Sequence, residues 1–216
     1  MPRPRETSDE ALLEAARACF LEHGPGVAMT VVARRAGVSS ATLFQRFETK
    51  EALLVAALGP PEHVEWIERV ESGPDDRPLR DQLFEIAEAM AGYFRELSPR
   101  LAMLRAAGIS RRQVHSRSHE PPPLRARRAL EGWLARAEAR GDIRPCDRAS
   151  LATALIATMQ ATPLLDFMID AKPAPGRDSR FLQGYLDALW NGLSPVGRRQ
   201  APRGATPPPA SRKKAP

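Results

Sequence analysis

Residues 33–44 read Ala-Arg-Arg-Ala-Gly-Val-Ser-Ser-Ala-Thr-Leu-Phe, a pattern suited to presenting a helix to a groove rather than to making or breaking bonds. Ala33 is small enough for two helices to cross closely, and Gly37 permits a tight corner. Val38, Leu43 and Phe47 can lock the angle between the helices on either side. Fixing that angle exposes one face of the helix that starts at Ser39, at its N-terminal half, which is the geometry needed to enter the major groove of DNA. Between Met29 and Lys50 the cations Arg34, Arg35, Arg46 and Lys50 stand against a single acid, Glu48, so the local charge is +3. Elsewhere the chain offers no chemical set. It has no glycine-rich phosphate loop, dinucleotide fingerprint or serine elbow. His115 and His119 lie four apart, but no glutamate stands between them in the metalloprotease manner and Arg117 does. No metal, no cofactor and no enzymatic activity are expected.

The formal charge of +6 has to be located before it is used. Of the 32 basic residues, six lie between Pro195 and Pro216, where there is no acid; the other 26 are balanced by 26 acids. Net charge therefore describes the tail, and a nucleic-acid partner is argued from local arrangement. Residues 1–6 and 195–216 carry no repeating apolar spacing and are expected to be unstructured, the latter as a basic tail. Cys19 and Cys146 lie far apart and read as free thiols of a reducing compartment. Residues 2–10 are polar and unlike a signal peptide, and no run reaches the ~18 apolar residues that a membrane helix needs. The expected location is the cytoplasm, without a membrane partner.

Apolar periodicity near 3.6 runs through most of the chain and no segment alternates as a strand would, so the fold class expected is all-α. Thr7 and Glu10 predict a capping box before a helix carrying Leu13, Ala16, Cys19 and Phe20, which Gly24-Pro25-Gly26 stops. A second helix is expected over 29–36, with Met29, Val32, Ala33 and Ala36 inward. A third, capped by Ser39, runs to Phe47, and a fourth, capped by Thr49, carries Ala52, Leu53, Ala56 and Ala57. Gly59-Pro60-Pro61 marks a boundary. Beyond it Leu79, Leu83, Ile86, Met90, Phe94 and Leu97 form a stripe that Pro99 should close, followed by a short piece with Leu101, Leu104 and Ala107 and a polar, basic stretch over 108–120. After Pro121-Pro122-Pro123 a helix holds Ala126, Leu130, Trp133, Leu134 and Ala137. Asp147 can cap the next, with Leu151, Leu155, Ile156 and Met159, which Pro163 bends or divides. The last carries Phe181, Leu182, Tyr185, Leu186, Leu189, Trp190 and Leu193. The organisation expected is a helix-turn-helix domain over 7–58, a helical ligand-binding and dimerisation domain over 59–194, and the tail.

Residues 10–58 resemble the DNA-binding domain of TetR-type, or tetracycline-repressor-like, transcriptional regulators. The matching positions are Phe20 and Gly24, Val32-Ala33, Ala36-Gly37-Val38-Ser39, Thr42-Leu43-Phe44 with Phe47, and Lys50-Glu51-Ala52-Leu53. This resemblance implies that Ser40, Ala41, Thr42 and Gln45 face base edges or sugars, that Phe44, Arg46 and Lys50 sit where the family grips phosphates, and that Ser39 caps the reading helix. Two positions depart from the pattern. Ala28 stands where the family has Thr or Ser to cap the second helix, and Phe44 stands in place of Tyr.

One helix-turn-helix covers few base pairs, so the function implies a homodimer whose two heads lie about 34 Å, one DNA turn, apart. The last two long helices are the candidates for that interface, through Leu151, Ala154, Leu155, Ala157 and Ala161 on one and Phe181, Tyr185, Leu189 and Trp190 on the other. Met90, Tyr93, Phe94, Met103, Trp133 and Met159 could line a cavity for an apolar or amphipathic effector. The function expected is a repressor on double-stranded, palindromic operator DNA, released by that effector. An activator, or a DNA-binding dimer indifferent to any ligand, has the same sequence signature.

Overall fold

The chain's apolar residues recur at helical spacing, and helices are what they form. The computed structural model describes residues 8–115, 120–168 and 177–193, and among these there are ten α-helices and no strand. They are α1 (Asp9–His23), α2 (Met29–Arg35), α3 (Ser40–Phe47), α4 (Lys50–Leu58), α5 (Glu65–Ser72), α6 (Leu79–Ala106), α7 (Arg111–Val114), α8 (Pro122–Ala139), α9 (Arg148–Met168) and α10 (Arg177–Leu193). Thr7 and the tail over 195–216 lie outside the described residues. The cap of α1 is Ser8, whose hydroxyl accepts the Ala11 N–H at 3.2 Å. Leu12, rather than Leu13, joins Ala16, Cys19 and Phe20 in full burial.

Two apolar cores form. One gathers Leu12, Phe20, Val32, Leu43 and Leu53 from α1–α4; the other gathers Ile67, Met90, Leu130, Trp133, Leu155 and Leu186 from α5, α6 and α8–α10. The helix α6 enters both. Its early turns pack against α9 and α10, and Leu104, near its end, is buried in the core of α1–α4 together with Ile109 just beyond. This explains why Pro99 fails to close the helix, as the sequence predicts it should. Proline inside a helix costs about 3 kcal/mol through its missing N–H and ring clash. Leu97 on one side and Leu104 on the other are both buried, and each such side chain contributes roughly 1.5–3 kcal/mol of burial that an interrupted helix would forfeit. Likewise α9 continues through Pro163 and is not divided.

Two helices are missing from the sequence-based reading. The segment α5 buries Trp66, Ile67 and Val70 against α8; it is a short amphipathic piece flanked by prolines. The four-residue α7 sits inside the polar stretch and is held by a reciprocal capping box, in which the Ser110 hydroxyl accepts the Gln113 N–H and the Gln113 side chain accepts the Ser110 N–H. Side chains close the loops around this body. The Gln82 carboxamide, buried, accepts the Asp75 N–H and donates to the Asp75 and Arg77 carbonyls. Arg136 and Arg140 donate to the carbonyls of Val70 and Glu71 in the last turn of α5 and of Pro74 and Asp75 just after it. Arg125 grips Glu71 through two hydrogen bonds, which hold that carboxyl below its ordinary range. Cys19 is buried and Cys146 half-buried, both as free thiols; burial pushes the Cys146 thiol up.

Candidate nucleic-acid interface

The corner between α2 and α3 follows from backbone hydrogen bonding. Gly37, at φ +68°, stands just past the end of α2. Its N–H bonds the Arg34 carbonyl, while the Val38 N–H reaches back to the Ala33 carbonyl at 3.0 Å. Those paired bonds are a Schellman stop, and the left-handed conformation they need is open to glycine. Val38 folds back on the α1–α4 core next to Ala33, and Ser39 then opens α3, its hydroxyl accepting the Thr42 N–H at 3.0 Å. Glu48 and Thr49, between α3 and α4, make the second corner. Glu48 adopts φ 57°, ψ −50°, the one non-glycine residue at positive φ among the described residues, and the Thr49 N–H bonds the Phe47 carbonyl two positions back. That is a γ-turn, a conformation costly to a residue with a Cβ; it joins α3 to α4 in the fewest residues. Thr49 caps α4 through the Ala52 N–H at 3.0 Å.

Held by these two corners, α3 buries Leu43 and turns Ala41, Phe44 and Gln45 to solvent, Phe44 at 46% exposure. Ser40, half-buried, lies on the same side one turn before Phe44. Thr42 lies at its edge, half-buried, with its hydroxyl 2.8 Å from that of Ser39. The eight residues singled out in sequence are thus close in space but differ in availability. Arg46 hydrogen-bonds Asp9 at 2.7 Å, and Arg35 pairs with Glu22, whose carboxyl is held below its ordinary range by that guanidinium. Both acids come from α1, so the local charge of +3 counted along the sequence is offset in space. Lys50, half-buried at the start of α4, and the exposed Arg34 have no acidic partner among the described residues.

Ala28 precedes α2 with no side-chain cap. Replacing it with serine should stabilise the α1–α4 unit by about 1 kcal/mol, within the 0.5–2 kcal/mol range typical of such caps. Thermal unfolding of the two proteins measures this, and an unchanged midpoint would show that the first amides of α2 are already satisfied.

Residues 12–57 match the family model described as bacterial regulatory proteins, tetR family. They form the DNA-binding domain of a TetR-type transcriptional regulator. Similarity extends past this domain. Rv2250c of Mycobacterium tuberculosis, an HTH-type transcriptional regulator, is 26% identical over 196 residues, which span 86% of this chain and 98% of its own. The TetR transcriptional regulator SCO0520 of Streptomyces coelicolor superposes with a TM-score of 0.58 at 25% identity, over 88% of this chain and all of its own. GusR of Salmonella enterica shares the fold with a TM-score of 0.61 at 23% identity, over 90% of this chain and 98% of its own. No helix among the described residues is long and apolar enough to cross a membrane.

In the body of this TetR-type regulator a cavity of about 280 Å³ opens between α5, α6, α7, α8 and α9. Tyr93 and Phe94, which the sequence nominated, line it, and burial raises the Tyr93 phenol to about 12. The other nominees do not line it. Met90, Trp133 and Met159 are consumed in the body core, and Met103 packs on the α1–α4 core. The side chains missed include Trp66 from α5 and the group around α7, on elements that the sequence did not reveal, and Leu97, Arg105 and Ile156 from α6 and α9. Of the interface candidates, Leu155 is fully buried in its own subunit, because α9 turns that side toward α6. Leu151, Tyr185, Leu189 and Trp190 are half-buried; Ala154, Ala157 and Ala161 are exposed. Phe181 is exposed and its ring stacks on Tyr185, 6.1 Å between centroids. Leu164 and Leu165, not foreseen, continue the alanine stripe at 44% and 57% exposure.

Proposed function

We propose that this regulator is a repressor that binds a palindromic operator as a homodimer through two copies of α3, and that an apolar or amphipathic small molecule entering the body cavity releases it. The observation that carries this reading is a shared wall. Leu104 and Ile109 belong to the core of the DNA-binding unit and also line the cavity. They are joined by a second Schellman stop at Gly108, φ +76°, where the Ile109 N–H bonds the Leu104 carbonyl at 3.0 Å. An occupant that displaces either side chain acts directly on the packing of α6 against α4. Close-packed cores answer such displacement by shifting as units, so the distance between two heads changes and the fit to adjacent DNA turns is lost. Free energy for release comes only from the effector's preference for the second arrangement.

In the DNA complex α3 enters the major groove with Ser40, Ala41, Thr42 and Gln45 toward base edges. Gln45 can pair with adenine and the Ala41 methyl can meet a thymine methyl. Phe44, Arg46 and Lys50 approach the backbone, and Arg46 exchanges Asp9 for a phosphate. Ser39 holds the helix start. The test is selection of bound genomic fragments, followed by footprinting and titration of small molecules into the complex. A two-fold-symmetric footprint that an effector abolishes is the expected result. A monomeric protein with no preference over random DNA overturns the reading.

Lys50→Ala should weaken binding to all sequences alike and reduce the slope of log affinity against log salt by about one phosphate contact. An unchanged slope removes Lys50 from the backbone contacts.

A further inference from the structure

The cavity is apolar over most of its wall, yet every ionisable group around it besides Tyr93 is basic. Arg105 stands in the last turn of α6, Arg111 opens α7, and His115 follows it; no acidic side chain lines the space. Neither arginine has an acidic partner among the described residues. Two further polar atoms are orphaned there. Trp66 is 5% exposed and lines the cavity, and its Nε1 is buried with no hydrogen-bond partner; Nδ1 of His115, also on the wall, is in the same condition. Buried unpaired donors are few in native proteins and cost about 1–3 kcal/mol each. An indole N–H can only donate, as can a guanidinium, and an imidazole nitrogen donates in the matching tautomer. Two orphaned atoms and two cations on one small cavity can therefore be served by the same group, an acceptor carrying negative charge.

We propose that the effector is an apolar carboxylic acid, its carboxylate held among Arg105, Arg111, His115 and the Trp66 N–H and its hydrocarbon body against Phe94, Leu97 and Ile156. This deepens the reading of the cavity as the regulatory pocket and rests on it. A carboxylate suits the site on two grounds. Its planar pair of oxygens matches the guanidinium fork, and a single charge loses less hydration than a phosphate on entering an apolar space. The volume, about 280 Å³, lies just below the ~300–1,000 Å³ usual for small-molecule sites, so the acid is of modest size. An amine is excluded by the uniformly basic rim, and a neutral hydrocarbon leaves the orphaned donors unpaired.

The experiment uses the full chain and four probes: decanoate, 2-naphthoate, decan-1-ol and decylamine, with affinities from calorimetry. One or both acids should bind at least ~10-fold more tightly than the alcohol, as expected for charge-assisted hydrogen bonds, and the amine most weakly. The two acids distinguish a straight-chain from an aromatic body. In the Arg105→Ala, Arg111→Ala variant, both positions being exposed and tolerant of change, the preference for acid should vanish while the alcohol's affinity holds; Trp66→Phe should lower the preference in part. An alcohol or amine that binds as tightly as the acids overturns the carboxylate assignment and leaves the regulatory pocket standing, as does an acid preference that survives the double substitution. Failure of all four to bind, with no effect on the operator complex, overturns the regulatory reading together with this one.

Discussion

A variant carrying Leu165→Asp and Phe181→Asp will sediment as a monomer and bind its operator at least ~1,000-fold more weakly than the parent. Three large apolar side chains on α9 and α10, Leu164, Leu165 and Phe181, are 44%, 57% and 42% exposed. Ala154, Ala157 and Ala161 precede them at intervals of three and four on the same side of α9, where small side chains permit a close approach. Exposed apolar side chains of this size suit the interface of the proposed dimer, and a charge placed there on both subunits of a two-fold pair meets its own image. In the proposed dimer, loss of the second head removes half of the base contacts and the register between half-sites, and specific binding commonly exceeds non-specific by 10³–10⁷. Sedimentation and operator titration check both parts. A variant that remains dimeric and binds normally places the interface elsewhere on the body.

Phe20→Ala should open the DNA-binding unit while the body stays folded. Phe20 is fully buried among Leu12, Val32, Leu43 and Leu53, and removal of such a ring costs about 3–5 kcal/mol, a large part of the stability of a small unit. The readout is built into the composition. All three tryptophans, Trp66, Trp133 and Trp190, and both tyrosines, Tyr93 and Tyr185, lie beyond residue 58, so intrinsic fluorescence reports the body alone. Operator binding and part of the helical signal should be lost at a temperature where fluorescence is unchanged. If fluorescence and helicity collapse together, α6 couples the two cores into a single unfolding unit.

How far such a molecule is legible before folding depends on the range of the interactions concerned. The reading head was legible almost residue by residue, since its determinants are local. Gly37 stops one helix, Ser39 and Thr49 cap the next two through amides three residues on, and Val38 has its partner Ala33 within the same turn. Local rules also explain the misreadings. Pro99 is a helix breaker by its own chemistry, and only the burial of Leu97 on one side of it and Leu104 on the other overrides it. The four-residue α7 is below the length at which apolar periodicity can be read.

By itself, then, the order of residues determined the all-helical class, the corner that presents α3 and the TetR-type family of the head, because backbone conformation and capping are decided within a few positions along the chain. Tertiary structure alone decided the rest. It brought Asp9 to Arg46 and Glu22 to Arg35, offsetting a charge that the linear sequence counts as free. It turned Leu155 inward and left Leu165 outside, and it placed Trp66, Arg105 and His115, from three separate elements, around one cavity. Such contacts join residues several helical turns to tens of positions apart, and helical periodicity shows that a face is apolar without saying what will cover it.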